Sequence, residues 1–292
     1  MTHDDELAKA FDRARPRLVR VAYAVLGSRS EAEDVVSEIW LRLSATHASD
    51  PVRDVDAWTT VAVARASVDA LRSARVRREV YVGPWLPEPV VELAAVEDPA
   101  DRVTLDDTVR YALLVVLESL TPGERTAWVL HDLFGMPFRE IAEVVGRSPA
   151  AVRQLAARAR THLAEHRPRL EVAVAEHDRV VRAFLLAAGG GDLAALLATL
   201  DTDVVLTGDG GGTVSAARRP VVGADRVARF LLGIAGNVSA DEHVEVISVN
   251  GEMGLAVLRG DQPTTVMALT VGEGRVTRVD LIRAPEKLRA LS

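Results

Sequence analysis

Apolar residues recur at helical spacing through roughly the first half of the chain and alternate with polar ones after residue 200. Leu7, Phe11, Leu18, Val21, Ala22 and Val25 form a loose helical stripe ending at Gly27. Ser30 is expected to cap a second helix, EAEDVVSEIWLRL, with Glu33 closing a capping box. Its apolar side is Val35, Ile39 and Leu43, with Val36 and Trp40 adjoining, and Glu31, Glu33, Asp34 and Glu38 make an acidic face. A third helix opens near Asp54 or Asp56 and carries Trp58, Val61, Ala64, Val68 and Leu71 on one face. Arg65, Arg72, Arg75, Arg77 and Arg78 occupy its opposite side and C-terminal end. Residues 79–103 contain four prolines and many acids and read as a linker, although Trp85 and Leu86 are apolar enough to dock. A helix follows from about Leu105 to Ser119, then TPGERTAWVLHDLF, opened by a Thr121–Glu124 capping box and ended by Gly135.

Phe138 to His162 reads as two short helices around a tight turn. Ala142, Gly146 and Val152 supply a small crossing residue, a turn glycine and an apolar lock. Ser148 and Pro149 mark the start of the second helix, whose inward positions are Val152, Leu155, Ala159 and Leu163. Arg153, Gln154, Ala157, Arg158 and Arg160 face outward, a set that suits a DNA major groove because guanidinium and amide groups pair with base edges and phosphates. A packed helical hairpin with a solvated arginine face is the plainer alternative. Arginines beside Trp58, Thr59 and Thr60 on the third helix are also what single-stranded DNA binding uses, with core packing the competing role for Trp58.

After Pro168 the pattern predicts a helix over 171–188, a break at GGGD (189–192) and a second helix, LAALLATL. DVVLTG, TVSAARRPVVG, HVEVISV, MGLAVLR, TTVMALTV and RVTRVDLI then read as strands, with a helix at 224–235 among them and hairpin turns at Asn250-Gly251 and Gly272-Glu273-Gly274. That order predicts an α+β domain. Asp203, Asp209, Asp280 and His243 are its candidate acid–base groups for pocket chemistry, against ordinary turn or surface roles.

Composition changes this picture in three ways. The chain has no cysteine, so disulfides and thiolate metal sites are excluded, and no metal or other cofactor is expected. Neither a signal-peptide pattern nor a membrane-length apolar run occurs, so a cytoplasmic protein without membrane contact is expected. The net charge of −7 is uneven: residues 1–80 are balanced, whereas residues 171–292 hold 12 basic against 16 acidic residues. Such a chain has little nonspecific grip on DNA and needs a partner to hold it there.

LGSRSEAEDVVSEIWLRL, DAWTTVAVARASVDALRSARVRRE and SLTPGERTAWVLHDLFGMPFREIAEVVGRSPAAVRQLAARAR resemble, in that order, regions 2 and 4 of extracytoplasmic-function sigma factors. WLPEP (85–89), DGGG (209–212) and PEKL (285–288) resemble the group that carries a fused SnoaL-like domain. Ser37 replaces an expected glutamine, Thr213 an expected lysine and Ala284 an expected asparagine. The resemblance implies a multidomain protein: two all-α sigma domains (1–80 and 104–168) joined by the 81–103 linker, and an α+β cone-shaped SnoaL-like domain (169–292). It implies core RNA polymerase and promoter DNA as partners, a monomer when free, and a pocket in the C-terminal domain open to a small-molecule ligand. Glu33, Asp34, Val35, Glu38 and Trp40 would then bind polymerase, and Trp58, Thr59, Arg65, Arg72 and Arg75 the minus-ten element. Arg147, Ser148, Ala150, Arg153, Gln154 and Arg158 would read the minus-thirty-five element. Trp85, Leu86, Pro87, Asp209, Gly210, Gly211, Gly212, Pro285, Glu286, Lys287 and Leu288 would form an interface regulating activity in cis. The alternatives are a ligand-responsive one-component regulator that uses the helix-turn-helix as a dimer, and a SnoaL-like isomerase or cyclase.

Overall fold

A computed structural model describes residues 3–92, 109–165 and 172–289. The chain forms two compact units, Met1–Glu79 with Val116–Glu165, and Val80–Val115 with His166–Ser292.

In the first unit, α1 (His3–Leu26), α2 (Arg29–Ser49) and α3 (Val55–Glu79) pack together. The expected α1 stripe is buried, and from Leu18 to Leu26 every apolar position is enclosed, so this end of α1 is the centre of the unit. The cap of α2 differs from expectation. Ser28, not Ser30, accepts the Glu31 amide, and the Glu33 carboxylate pairs with Arg29 at 2.8 Å instead of closing a capping box. The chain turns straight from α1 into α2 at Gly27, which leaves the cap to the next residue. Asp54 starts α3 by accepting the Ala57 amide.

Helix α4 (Tyr111–Leu117) is shorter than the sequence implied, and the expected start near Leu105 lies outside the described residues. Helix α5 (Pro122–Trp128) has the expected Thr121–Glu124 capping box, then widens into a π-helical turn, Val129–Leu133. Helices α6 (Phe138–Val145) and α7 (Pro149–Ala164) form the helix-turn-helix. Gly146 joins them in the left-handed region, φ 71°, a conformation costly for any residue with a Cβ.

In the second unit, β1 (Val91–Glu92) is followed, after α8 (Val174–Gly189) and α9 (Leu193–Thr199), by β2 (Leu200–Asp209), β3 (Val221–Val222) and α10 (Ala224–Ala235). Strands β4 (Glu242–Val249), β5 (Glu252–Arg259), β6 (Gln262–Gly272) and β7 (Arg275–Ile282) and the short α11 (Pro285–Leu288) complete it. The sheet order is β1-β4-β5-β6-β7-β2-β3, with only β2–β7 parallel. Asn250-Gly251 and Glu273-Gly274 adopt positive φ at the expected hairpin turns. TVSAARRPVVG contributes only Val221–Val222 to the sheet; its alanine-arginine-proline stretch lacks the alternation a strand needs.

The sheet carries a core on each face. On one, Phe184, Leu206, Leu231, Leu255 and Leu281 pack beneath the helices. On the other, Ile247, Val249, Ala268 and Ile282 are covered by Leu86, Tyr111 and Leu288. Residues read as a linker therefore form part of a domain core.

Candidate nucleic-acid interface and the strap site

The two halves of α7 differ. Arg147, Ser148, Ala150, Arg153 and Gln154 are exposed around its N-terminus, while Val152, Leu155, Ala156, Ala159 and Leu163 are buried beneath. Ser148 also caps the helix, accepting the Ala151 amide at 3.2 Å. Arg153 lies 5.7 Å from the Phe138 ring, which stacks on His131. Towards the C-terminus the arginines are tied down: Arg158 bonds Glu124 at 2.8 Å, and Arg160 grips Asp132 at 2.7 and 3.1 Å. Thr121 first, and Arg158 after it, hold the Glu124 carboxyl below its ordinary range. Ion pairs thus hold the C-terminal arginines of α7, while the polar side chains around its N-terminus stay exposed, a difference that the outward face alone did not show.

On α2, Asp34 and Glu38 are exposed, and Glu33 is half-buried beside Arg29. Val35 is 8% exposed, and Trp40 packs on Phe11 at 5.0 Å between ring centroids, so both serve the helical core. On α3, Arg65, Arg72 and Arg75 are exposed, and Trp58 is half-buried. Thr59 is enclosed, its hydroxyl donating to the Val55 carbonyl at 2.6 Å. Its polar group is spent within its own helix.

The three separated segments WLPEP, DGGG and PEKL meet in the second unit around one carboxylate. Asp209, at the end of β2, is fully buried. Its Oδ1 accepts the Tyr81 hydroxyl at 2.6 Å and the Gly211 amide at 3.0 Å. Its Oδ2 accepts the Leu86 amide at 2.9 Å and the Lys287 ammonium at 2.6 Å. Lys287 also donates to the Leu86 carbonyl and sits 4.1 Å from the Trp85 ring centroid. A buried ion pair persists only when its remaining hydrogen-bonding capacity is met, and here backbone, phenol and indole meet it. Burial, then the bond to Asp209, pushes the Tyr81 phenol far above its usual range. The glycines allow close approach: a Cβ on Gly210 would strike the Val214 carbonyl, and one on Gly211 would lie 2.8 Å from the Glu286 carboxylate. Leu86, Pro87 and Leu288 are buried, and Tyr111 donates to the Pro87 carbonyl at 3.0 Å.

Asn250 makes a second anchor that sequence reasoning missed, having assigned it only a turn. Its side chain accepts the Val90 amide at 3.0 Å and donates to the Val109 carbonyl at 3.1 Å. A buried cluster of His177, Asp178, Glu252 and Arg110 was also unforeseen. His177 meets the Leu269 carbonyl at 2.9 Å and stands 3.7 Å from Asp178, and Arg110 stands 3.5 Å from Glu252. Burial opposes a charge on His177, but Asp178, Glu252 and the Leu269 carbonyl overcome it and raise its pKa; burial raises that of Glu252.

The acid–base candidates do not converge. Asp203 and His243 are exposed, Asp209 is bound to Lys287, and Asp280 is buried against Arg278 at 2.8 Å. Among the described residues no group of three or more His, Asp or Glu is placed to hold a metal ion, and no helix is long and apolar enough to cross a membrane.

Residues 10–77 match Sigma-70 region 2, and residues 110–163 match Sigma-70, region 4. The chain is 40% identical, over 95% of its length and 91% of the relative's, to the ECF RNA polymerase sigma factor SigJ of Mycobacterium tuberculosis. The chain belongs to the ECF sigma factor family. A probable ECF sigma factor from the same species, SigI, is 36% identical over 100% of this chain and 98% of its own. The crystal structure of SigJ superposes with a TM-score of 0.76 at 36% identity, covering 97% of this sigma factor and 98% of that chain. Membership extends through the α+β domain and sets aside the one-component regulator. The relatives are sigma factors, not enzymes.

Proposed function

We propose that this sigma factor docks on core RNA polymerase through Glu33, Asp34 and Glu38, and holds the minus-ten element with Trp58, Arg65, Arg72 and Arg75. It reads the minus-thirty-five element through Arg147, Arg153 and Gln154, and the strap bound at Asp209 sets its activity in cis. The observation that carries the regulatory part is that a buried Asp209–Lys287 pair fastens the segment between the two sigma regions onto the C-terminal domain. The same core also buries Tyr111, one residue into the region 4 match.

The test is transcription by core polymerase from this protein's own upstream region, comparing the full chain with versions ending at Ala284 and Arg169. All three should retain the helices of the first unit, and removal of PEKL should change transcript yield. Equal yields from the full chain and the Ala284 version would overturn cis control. A ligand on the helix side of the sheet would have to displace packed side chains such as Phe184 and Leu231, and could act only through unequal affinity for two states.

A further inference from the structure

The first unit holds a cluster that the proposed function leaves unused. Arg125, from α5, is the bulkiest fully buried side chain among the described residues, at 2% exposure. Its Nε donates to the Ala24 carbonyl at 3.2 Å, and it pairs with Glu118. Arg78, near the end of α3, donates to the Leu26 carbonyl at 2.7 Å and pairs with the other Glu118 oxygen at 2.6 Å. Two guanidiniums thus cover the C-terminal end of α1, where the helix dipole favours cations, and one carboxylate is clamped between them. The Ala24 and Leu26 carbonyls lie in the region 2 match and Arg78 one residue past its end, on the same helix α3; Glu118 and Arg125 come from region 4.

The cluster is closed but not fully satisfied. Glu118 is shared by two guanidiniums, with Glu31 a further negative charge near Arg78, and Arg125 keeps a buried guanidinium nitrogen with no acceptor. Burial first, with Arg125 adding to it, lowers the Arg78 pKa despite Glu118. Such a contact is stable while complete and fails sharply once one partner is lost. It is also in the wrong place for a promoter-bound factor. The two elements, ~25 base pairs apart by their names, lie ~85 Å apart at ~3.4 Å per pair. A compact unit of this size has a radius of gyration of only about 14 Å.

We propose that Glu118, clamped between Arg78 and Arg125 over the end of α1, is the interlock that holds region 4 against region 2 in the free protein. Breaking it releases the two regions to occupy separate promoter elements. The inference deepens the proposed function and rests on it for its biological meaning, but its test needs neither polymerase nor DNA and so can fail separately.

Because the chain has no cysteine, a donor and an acceptor dye can be placed on the full-length protein at Ser49→Cys and Ala164→Cys, both exposed positions outside the cluster. Single-molecule energy transfer is then compared between the parent, Glu118→Gln and Arg125→Met, with circular dichroism on each. Glu118→Gln leaves the buried Arg125 guanidinium without its charged partner, while Arg78 keeps Glu31 nearby, and should shift the closed–open equilibrium by about 100-fold or more. A low-transfer population should appear while helicity is retained, and Arg125→Met should give the same population. Parent-like transfer in both variants overturns the interlock. Loss of helicity in both overturns it too, since the cluster would then support the fold and not the joint.

Discussion

Replacing Lys287 by Met isolates the strap site. The substitution preserves most of the side chain's apolar length but leaves Asp209, at 0% exposure, as a buried carboxylate without a counter-charge. Three donors remain, from Tyr81, Leu86 and Gly211. Breaking one half of a buried pair costs about 3–5 kcal/mol, and the surviving bonds place this case at about 3 kcal/mol, a factor of ~150. The Leu86 amide, which donates directly to Asp209, reports that loss as hydrogen exchange. Lys287→Met should speed exchange at Leu86 by about 100-fold, with amides in α1 and α2 unchanged. The pair Asp209→Asn with Lys287→Met orphans no charge and should cost less than Lys287→Met alone. The reasoning is refuted if Leu86 keeps its parental protection, or if the double variant is the more damaged.

Arg153→Ala and Gln154→Ala should each cost about 1–3 kcal/mol in binding a cognate minus-thirty-five duplex, whereas Arg158→Ala should cost less, being tied to Glu124; equal losses in a gel-shift titration would contradict the division of α7. The raised pKa values of His177 and Glu252 mean that the folded second unit holds protons more tightly than the unfolded chain. Their contribution is full below the ordinary values, 4.5 for the carboxyl and 6.5 for the imidazole, and is lost as pH rises through the shifted ones. The urea midpoint of the second unit should therefore fall between about pH 5 and pH 8, less steeply in His177→Gln; a steeper fall in the variant would contradict the assignment. Gly146→Ala meets no atom within 4 Å but forces alanine to φ 71°, so thermal unfolding of the first unit should register a loss of about 1 kcal/mol, from backbone strain alone.

The helix-turn-helix was readable because its determinants are local: Gly146, Ser148, Pro149 and the inward positions of α7 all act within a few residues of themselves. The sheet was equally legible, since β4 to β7 alternate cleanly and their hairpins carry positive-φ turn residues. What escaped is what depends on distant partners. Thr59 looks like a surface hydroxyl until its backbone acceptor is seen, and Ser30 looks like a cap because the geometry that favours Ser28 lies in the preceding turn. Tyr81, Asp209 and Lys287 are separated by more than a hundred residues overall, and no periodicity links them. Motif likeness singled out Asp209 and Lys287 for one interface, but not that a single carboxylate is its centre. The His177–Glu252 and Arg78–Glu118–Arg125 groups left no local pattern at all.

Asn250 holds Val90 with one end of its amide and Val109 with the other, so the intervening eighteen residues are pinned at both ends by a single side chain. One amide therefore serves two stretches of backbone, and its two ends can be addressed separately. An aspartate at this position would keep an oxygen for the Val90 amide and lose the donor to the Val109 carbonyl. A single atom exchange would thus loosen the start of the region 4 match while leaving the strap's end fastened.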